Sequence, residues 1–235
     1  MKKFIFDVDG TLTSSRCQID PDFRAFMLKF SWENDVYLVT GSDREKTLEQ
    51  VGEDLYNRSK RVYNCSGSDV YEGDKNVYRS NWDLPWEVER FLDDELDYSQ
   101  FPMRNGNHIV SRPGGVNFSI LGRARDPFLG RKEYMEWNKR TDERAVIADR
   151  LRRSFPGLNI ALGGQTGIDI GPYGSDKSQI LRDFSKDDEL HFFGDRMEKG
   201  GNDYSLAEAV KKWDGYPHHV KDWKETRTIL EGIYD

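Results

Sequence analysis

The stretch FIFDVDGTLT, Phe4 to Thr13, decides the fold. Phe4-Ile5-Phe6 and then Val8 form a short apolar run that breaks at Asp9-Gly10-Thr11, as a buried strand breaks into a turn. Its carboxyl end therefore carries two carboxylates, Asp7 and Asp9. Further on, Val36-Tyr37-Leu38-Val39 repeats the pattern and runs into Thr40-Gly41-Ser42-Asp43. Asp22 to Phe30 between them has helical spacing, and Ser42 or Asp43 can cap a second helix running through Leu48 to Leu55. Strand, helix, strand, helix predicts an α/β fold built on a Rossmann-like parallel sheet.

The rhythm changes at about Asp83 and returns after Pro172. Within that span Val116 to Leu121 alternates as a half-buried strand does, Arg140 to Phe155 has helical periodicity, and Asn159–Leu162 and Ile168–Ile170 read as short strands around Gly163-Gly164. The expected organisation is a core of residues 1–82 and 173–235 interrupted by an α+β cap at 83–172. After it come a helix from Ser178 to Phe184, a buried strand Leu190-His191-Phe192-Phe193 ending in Gly194-Asp195, and helices at Ser205–Lys212 and Lys224–Tyr234.

The bulk composition excludes several classes. In 235 residues, 13% aromatic content is too much for a disordered chain, and 35 basic against 42 acidic residues leave a net charge of -7. That balance argues against general affinity for nucleic acid or an anionic membrane. No apolar run approaches a membrane span and Lys2-Lys3 leads straight into the first strand without a signal-peptide pattern, so the cytoplasm is the expected location. Cys17 and Cys65 suit idle thiols better than a disulfide or zinc site. His218-His219 lacks the one-turn spacing of a helical metal pair and receives no role.

In an open parallel sheet, ligands sit outside the carboxyl ends of the strands. Those ends carry Asp7 with Asp9, Thr40 with Ser42, and Asp195; Asn202 and Asp203 follow closely. A pocket of carboxylates repels itself unless it holds a cation, and hard oxygen donors without His or Cys suit magnesium. A carboxylate nucleophile splits the slow hydrolysis of a phosphate monoester into two easier steps. Asp7 fits that role, Asp9 fits general acid and base, and Lys177, after Gly174-Ser175-Asp176, would hold the phosphate against Asp7.

Four ordered segments carry a resemblance: FDVDGTLT at 6–13, LVTGSD at 38–43, SDK at 175–177 and FFGDRMEKGGND at 192–203. They are similar to the motifs of the haloacid dehalogenase superfamily. Across nearly the whole chain the sequence resembles its eukaryotic-type phosphomannomutases, which carry a cap of the C2b type between the second and third motifs. The likeness rests on Arg16, RNG at Arg104–Gly106, VNFSILGR ending at Arg123, Arg131, GGQTGIDI at Gly163–Ile170 and Gly-Gly-Asn-Asp at 200–203. It implies magnesium held by Asp7, the main-chain oxygen of Asp9 and Asp195, with Asp203 beside them. Thr40 and Ser42 would belong to the catalytic loop. Arg16 would act at the junction with the cap, and Arg104, Asn117, Arg123, Arg131 and Asp169 would form the cap's sugar-phosphate site. The physics agrees, since guanidinium forks bind phosphate oxygens bidentately. It further implies interconversion of mannose 6-phosphate and mannose 1-phosphate, a hexose bisphosphate activator, and a homodimer through the cap.

Three positions depart from that pattern. Gly167 stands where the family usually has serine, His108–Gly115 looks like an insertion that brings in Arg112, and Thr40 replaces a frequent glycine. These bear on the sugar more than on the chemistry. A magnesium-dependent sugar-phosphate phosphatase would use the same site with water as acceptor. A non-catalytic phosphosugar-binding protein is disfavoured by the intact Asp7, Asp9, Lys177 and Asp195.

Overall fold

β1 (Lys2–Asp7) lies inside a seven-stranded sheet and pairs on both edges in the computed structural model, which describes residues 2–123, 126 and 129–234. Its parallel neighbours are β2 (Asp35–Val39) and β10 (Glu189–Gly194), with Phe6 level with Leu38 on one side and Phe193 on the other. The sheet runs β11 (Tyr216–His219), β10, β1, β2, β3 (Arg61–Asn64), β4 (Asp69–Glu72), β5 (Lys75–Arg79). The first five strands are parallel, and β4 and β5 form an antiparallel extension. That register brings the carboxyl ends of β1, β2 and β10 to one edge, as a doubly wound sheet requires.

Because side chains alternate along a strand, β1 feeds two cores. Phe4 and Phe6 pack with Phe23, Met27 and Phe30 of α1 (Pro21–Glu33) and with Leu230 of α8 (Trp223–Tyr234). Ile5 packs on the other face with Phe192 and with Leu206 and Val210 of α7 (Tyr204–Lys211). Each such side chain contributes about 1.5–3 kcal/mol by leaving water. Phe6, Phe193 and His218 also stack, with ring centroids 4.9 and 4.3 Å apart, and His218 Nε2 lies 3.1 Å from His191 Nδ1.

Several helical expectations change in detail. The helix expected to continue from Leu48 to Leu55 is two: α2 (Arg44–Val51) and α3 (Glu53–Arg58), broken at Gly52. Gly52 has φ +83°, and a Cβ there would lie 2.6 Å from the Arg24 guanidinium, so no other residue fits without movement. The helix expected at 178–184 is a 3-10 helix, Lys177–Asp183, with Asp176 accepting from the Ser178 N–H at 2.8 Å.

Residues 81–174 form a second compact unit, separate from the unit of 1–80 and 175–235. Its antiparallel sheet runs β6 (Asn107–Arg112), β7 (Gly115–Arg123), β9 (Gly167–Pro172), β8 (Leu158–Gly163), with α4 (Trp86–Tyr98), α5 (Arg131–Thr141) and α6 (Glu143–Ser154). The single helix expected at 140–155 divides at Asp142, which is left-handed at φ 52°. β7 is not half-buried as its alternation implies, because Gly115 to Gly122 are all buried. Val116, Phe118 and Ile120 enter the apolar core, whereas Asn117 and Ser119 are covered from the polar side.

Candidate active site

Asp7 ends β1 and is buried. Asp195 follows β10, and Asp203 precedes α7, so the sheet register and one helix start bring three carboxylates together. Oxygens of Asp7, Asp195 and Asp203 all lie within 4.8 Å of one another. Gly10 makes this possible: it has φ +82°, and a Cβ there would come within 2.3 Å of Asp195 Oδ2. The Arg196 N–H donates to Asp203 Oδ2 at 3.1 Å, which orients that carboxylate.

Lys177, 1% exposed, donates from Nζ to Asp7 Oδ1 and, at 2.6 Å, to Asp203 Oδ1. Burial works to lower the ammonium's pKa, but Asp7 and Asp203 outweigh it and raise it above the usual lysine value. Burial pushes the Asp7 carboxyl well above its ordinary value, with Asp203 and Asp195 adding to the rise and Lys177 opposing it. Asp195 is pushed up to about 6 by burial and then by Asp203. One ammonium among three carboxylates leaves excess negative charge, and hard oxygen donors in that number fit a divalent cation such as magnesium.

The other core residues are placed differently. Asp9 turns its carboxylate to the Arg16 N–H at 2.5 Å and the Gln50 amide at 3.0 Å, not into the Asp7–Asp195–Asp203 group. Thr40 is buried after β2, and its hydroxyl accepts from the Ser42 N–H at 3.1 Å; Ser42 is partly exposed. Arg16 is exposed and left-handed at φ 63°. His219, given no role from sequence, lies 2.9 Å through Nε2 from the Asp195 carbonyl.

In the second unit, Asn117 and Asp169 are directly opposed on β7 and β9, and the Asn117 amide donates to Asp169 Oδ1 at 2.6 Å. Arg123 donates to Asn117 Oδ1 at 3.1 and 2.5 Å, and Arg112 pairs with Asp169 at 2.5 Å. Arg131 reaches Gln165 Oε1 at 3.5 Å. Arg104 does not join this cluster. Its guanidinium donates to the carbonyls of Phe101, Met103, Leu96 and Ser99, the last three at 3.0–3.1 Å, and so ties down the chain at the end of α4. Arg112, from the stretch at 108–115, is a member of this cluster that the sequence motifs did not single out as a site residue. Strand register could have found it: Val110 faces Asn117, so Arg112 lies two residues along the same face.

The model of the eukaryotic phosphomannomutase family matches residues 23–235. The chain belongs to that family. A phosphomannomutase from Saccharomyces cerevisiae is 32% identical over 242 residues, spanning 98% of this chain and 93% of that protein. One from Drosophila melanogaster is 32% identical over 246 residues, spanning 98% and 94%. Among solved structures, a haloacid dehalogenase-like hydrolase from Bacteroides thetaiotaomicron superposes with TM-score 0.65 at 16% identity, covering 99% of both chains. A trehalose-6-phosphate phosphatase related protein gives TM-score 0.58 at 20% identity, covering 98% and 96%. These two share the fold. The chain is thus an enzyme of the haloacid dehalogenase superfamily within its phosphomannomutase family. No helix among the described residues is long and apolar enough to cross a membrane.

Gly167 packs closely against the cluster at Asn117. A Cβ at Gly167 would lie 2.6 Å from the Asn117 amide. A serine there would press on the side chain that bonds both Arg123 and Asp169.

Proposed function

We propose that this chain interconverts mannose 6-phosphate and mannose 1-phosphate by way of an aspartyl-phosphate on Asp7 and a hexose bisphosphate. The observation that carries the chemistry is a buried Asp7 sharing one ammonium, that of Lys177, with Asp203. Asp7, Asp195 and Asp203 would hold magnesium with the Asp9 main-chain oxygen. When bound, the ion supplies positive charge that offsets the carboxylates and the incoming phosphate.

Asp7 attacks phosphorus while Lys177 holds the transferring group and steadies its negative charge. The P–O bond electrons stay on the leaving oxygen, which takes a proton from Asp9. In the second half, Asp9 removes a proton from a sugar hydroxyl, which attacks the phosphoryl group on Asp7. Thr40 and Ser42 would line the phosphoryl site. Arg112, Arg123 and Arg131, with Asn117 and Asp169, would hold the sugar and the phosphate that is not reacting, each charge-assisted bond contributing about 1.5–3 kcal/mol. Arg16 would guide the substrate. A hexose bisphosphate would prime Asp7. A homodimer through the second unit and a cytoplasmic location complete the reading, and light scattering tests the former.

The deciding experiment supplies purified protein with magnesium and hexose phosphates, with and without a hexose bisphosphate. Isomer formation supports the mutase; release of free phosphate alone would replace it with a phosphatase that uses the same site. Asp7→Asn should abolish phosphate transfer and trap no labelled phosphate.

A further inference from the structure

Gln50 is buried to 1% exposure in the last turn of α2, and the chemistry above does not use it. Its Nε2 donates to Asp9 Oδ1 at 3.0 Å and to Thr13 Oγ1 at 3.3 Å, while its main-chain oxygen accepts from the Ile19 N–H at 2.8 Å. Its side-chain oxygen is buried with no hydrogen-bond partner. Leaving an amide oxygen unsatisfied costs stability, so nothing at the oxygen end accounts for an amide at this position. The amide is explained by its nitrogen end, which is aimed at Asp9.

Asp9 has a second donor on the same atom. The Arg16 N–H reaches Oδ1 at 2.5 Å, from a residue held at φ 63°. Oδ1 is thus occupied twice, and Oδ2 accepts no hydrogen bond among the described residues. The turn itself is wound tightly, with the Leu12 and Thr13 N–H groups both 3.0 Å from the Val8 carbonyl, and Gln50 bridges its two ends at Asp9 and Thr13.

We infer that Gln50 is the positioning residue that fixes Asp9 by Oδ1 and leaves Oδ2 as the atom that carries the proton. The inference rests on the acid and base role proposed for Asp9. In the forward step the Oδ2–H bond breaks as the leaving oxygen gains the proton, the P–O bond electrons stay on that oxygen, and the new bond to phosphorus comes from Asp7. In the reverse step Oδ2 receives the proton from the attacking hydroxyl. Misdirecting the carboxylate wastes the alignment on which proton transfer depends.

The test compares leaving groups in single-turnover phosphorylation of Asp7 with magnesium present. A hexose bisphosphate releases a sugar alkoxide that needs a proton, whereas acetyl phosphate and p-nitrophenyl phosphate release stable anions. Gln50→Met removes the N–H donors and keeps the volume. It should slow transfer from the hexose bisphosphate by roughly 10- to 100-fold with little change in KM, and transfer from the activated esters by less than about threefold. Asp9→Asn should show the same selectivity, and the double variant should be no slower than Asp9→Asn alone. Gln50→Glu, which sets an acceptor against Asp9, should be slowed in the same selective way, and it serves if thermal melting shows Gln50→Met unfolded. Unchanged transfer, or equal slowing with every donor, overturns the role of Gln50 while leaving Asp9 intact. If Asp9→Asn itself fails to distinguish the donors, the acid and base reading falls and takes the inference with it.

Discussion

Replacing Lys177 by Met is the sharpest perturbation of this site, because the ammonium is the one cation bonded to both Asp7 and Asp203 among the described residues. Met fills nearly the same space but cannot neutralise either carboxylate. Without the ammonium, and in magnesium-free buffer, one further carboxylate must take up a proton on folding that it releases on unfolding. From the ordinary carboxyl value of 3.8, holding that proton at pH 7 costs about 4 kcal/mol. The figure matches the roughly 3–5 kcal/mol lost when one partner of a buried pair is removed. For a chain of this size it lowers Tm by roughly 8–16 °C. The cost must also shrink with the proton's availability, to about 2 kcal/mol at pH 5. Thermal melts of Lys177→Met and wild type in a chelator at pH 7 and pH 5 measure both quantities. A difference below about 2 °C at pH 7, or one that does not narrow at pH 5, would refute the assignment of Lys177 as the charge that holds these carboxylates together.

Three further outcomes follow from other parts of the molecule. Magnesium at about one hundred times its Kd should stabilise the wild type by about 2.7 kcal/mol, and Asp195→Asn and Asp203→Asn should lose most of that rise in Tm. Arg104→Ala should cost about 1–2 kcal/mol of stability by freeing the carbonyls at the end of α4, yet leave KM for the phosphosugar within about twofold; a tenfold rise would return Arg104 to the sugar site. His218 is pushed down to about 4, by burial and then by His191. The unfolded chain therefore binds that proton first, so stability is full above about 6.5 and drains away as pH falls towards 4. Melts of His218→Phe should lose less between pH 7 and pH 4 than the wild type, and equal losses would contradict this.

The strands that build the core site were legible because each is an apolar run stopped by residues of one kind, Asp7-Val8-Asp9-Gly10, Thr40-Gly41-Ser42 and Gly194-Asp195. β4 and β5 were not, since β5 is an edge strand of Lys75-Asn76-Val77-Tyr78-Arg79, largely exposed and without an apolar face to announce it. Asp203 and Lys177 could be nominated as charges, but no pattern reveals that one ammonium bridges two carboxylates. The bonds of Arg104 to main-chain carbonyls could not be read from the motif it belongs to, and the nearness of Arg112 to Asn117 depends on strand register, which the motif does not encode. Gln50 was invisible for a related reason: within α2 it is an ordinary polar residue, and only the packing of that helix against the Asp9 turn makes it a partner.

The placement of β1 between β2 and β10 also has a consequence for folding during synthesis. Lys2 is level with Glu189, so one edge of the strand that bears Asp7 waits about 190 residues for its mate. At bacterial to eukaryotic elongation rates that is roughly 10–40 s of synthesis. Until then a strand at Phe4-Ile5-Phe6 would lack its β10 partner and leave an apolar edge of the kind that pairs with another chain. Residues 81–174, whose sheet closes locally, are complete long before. Nascent-chain losses in this protein should therefore concentrate on its first strand, and a chaperone that shields Lys2–Asp7 until Glu189 emerges should raise the yield of active enzyme more than one acting on the finished chain.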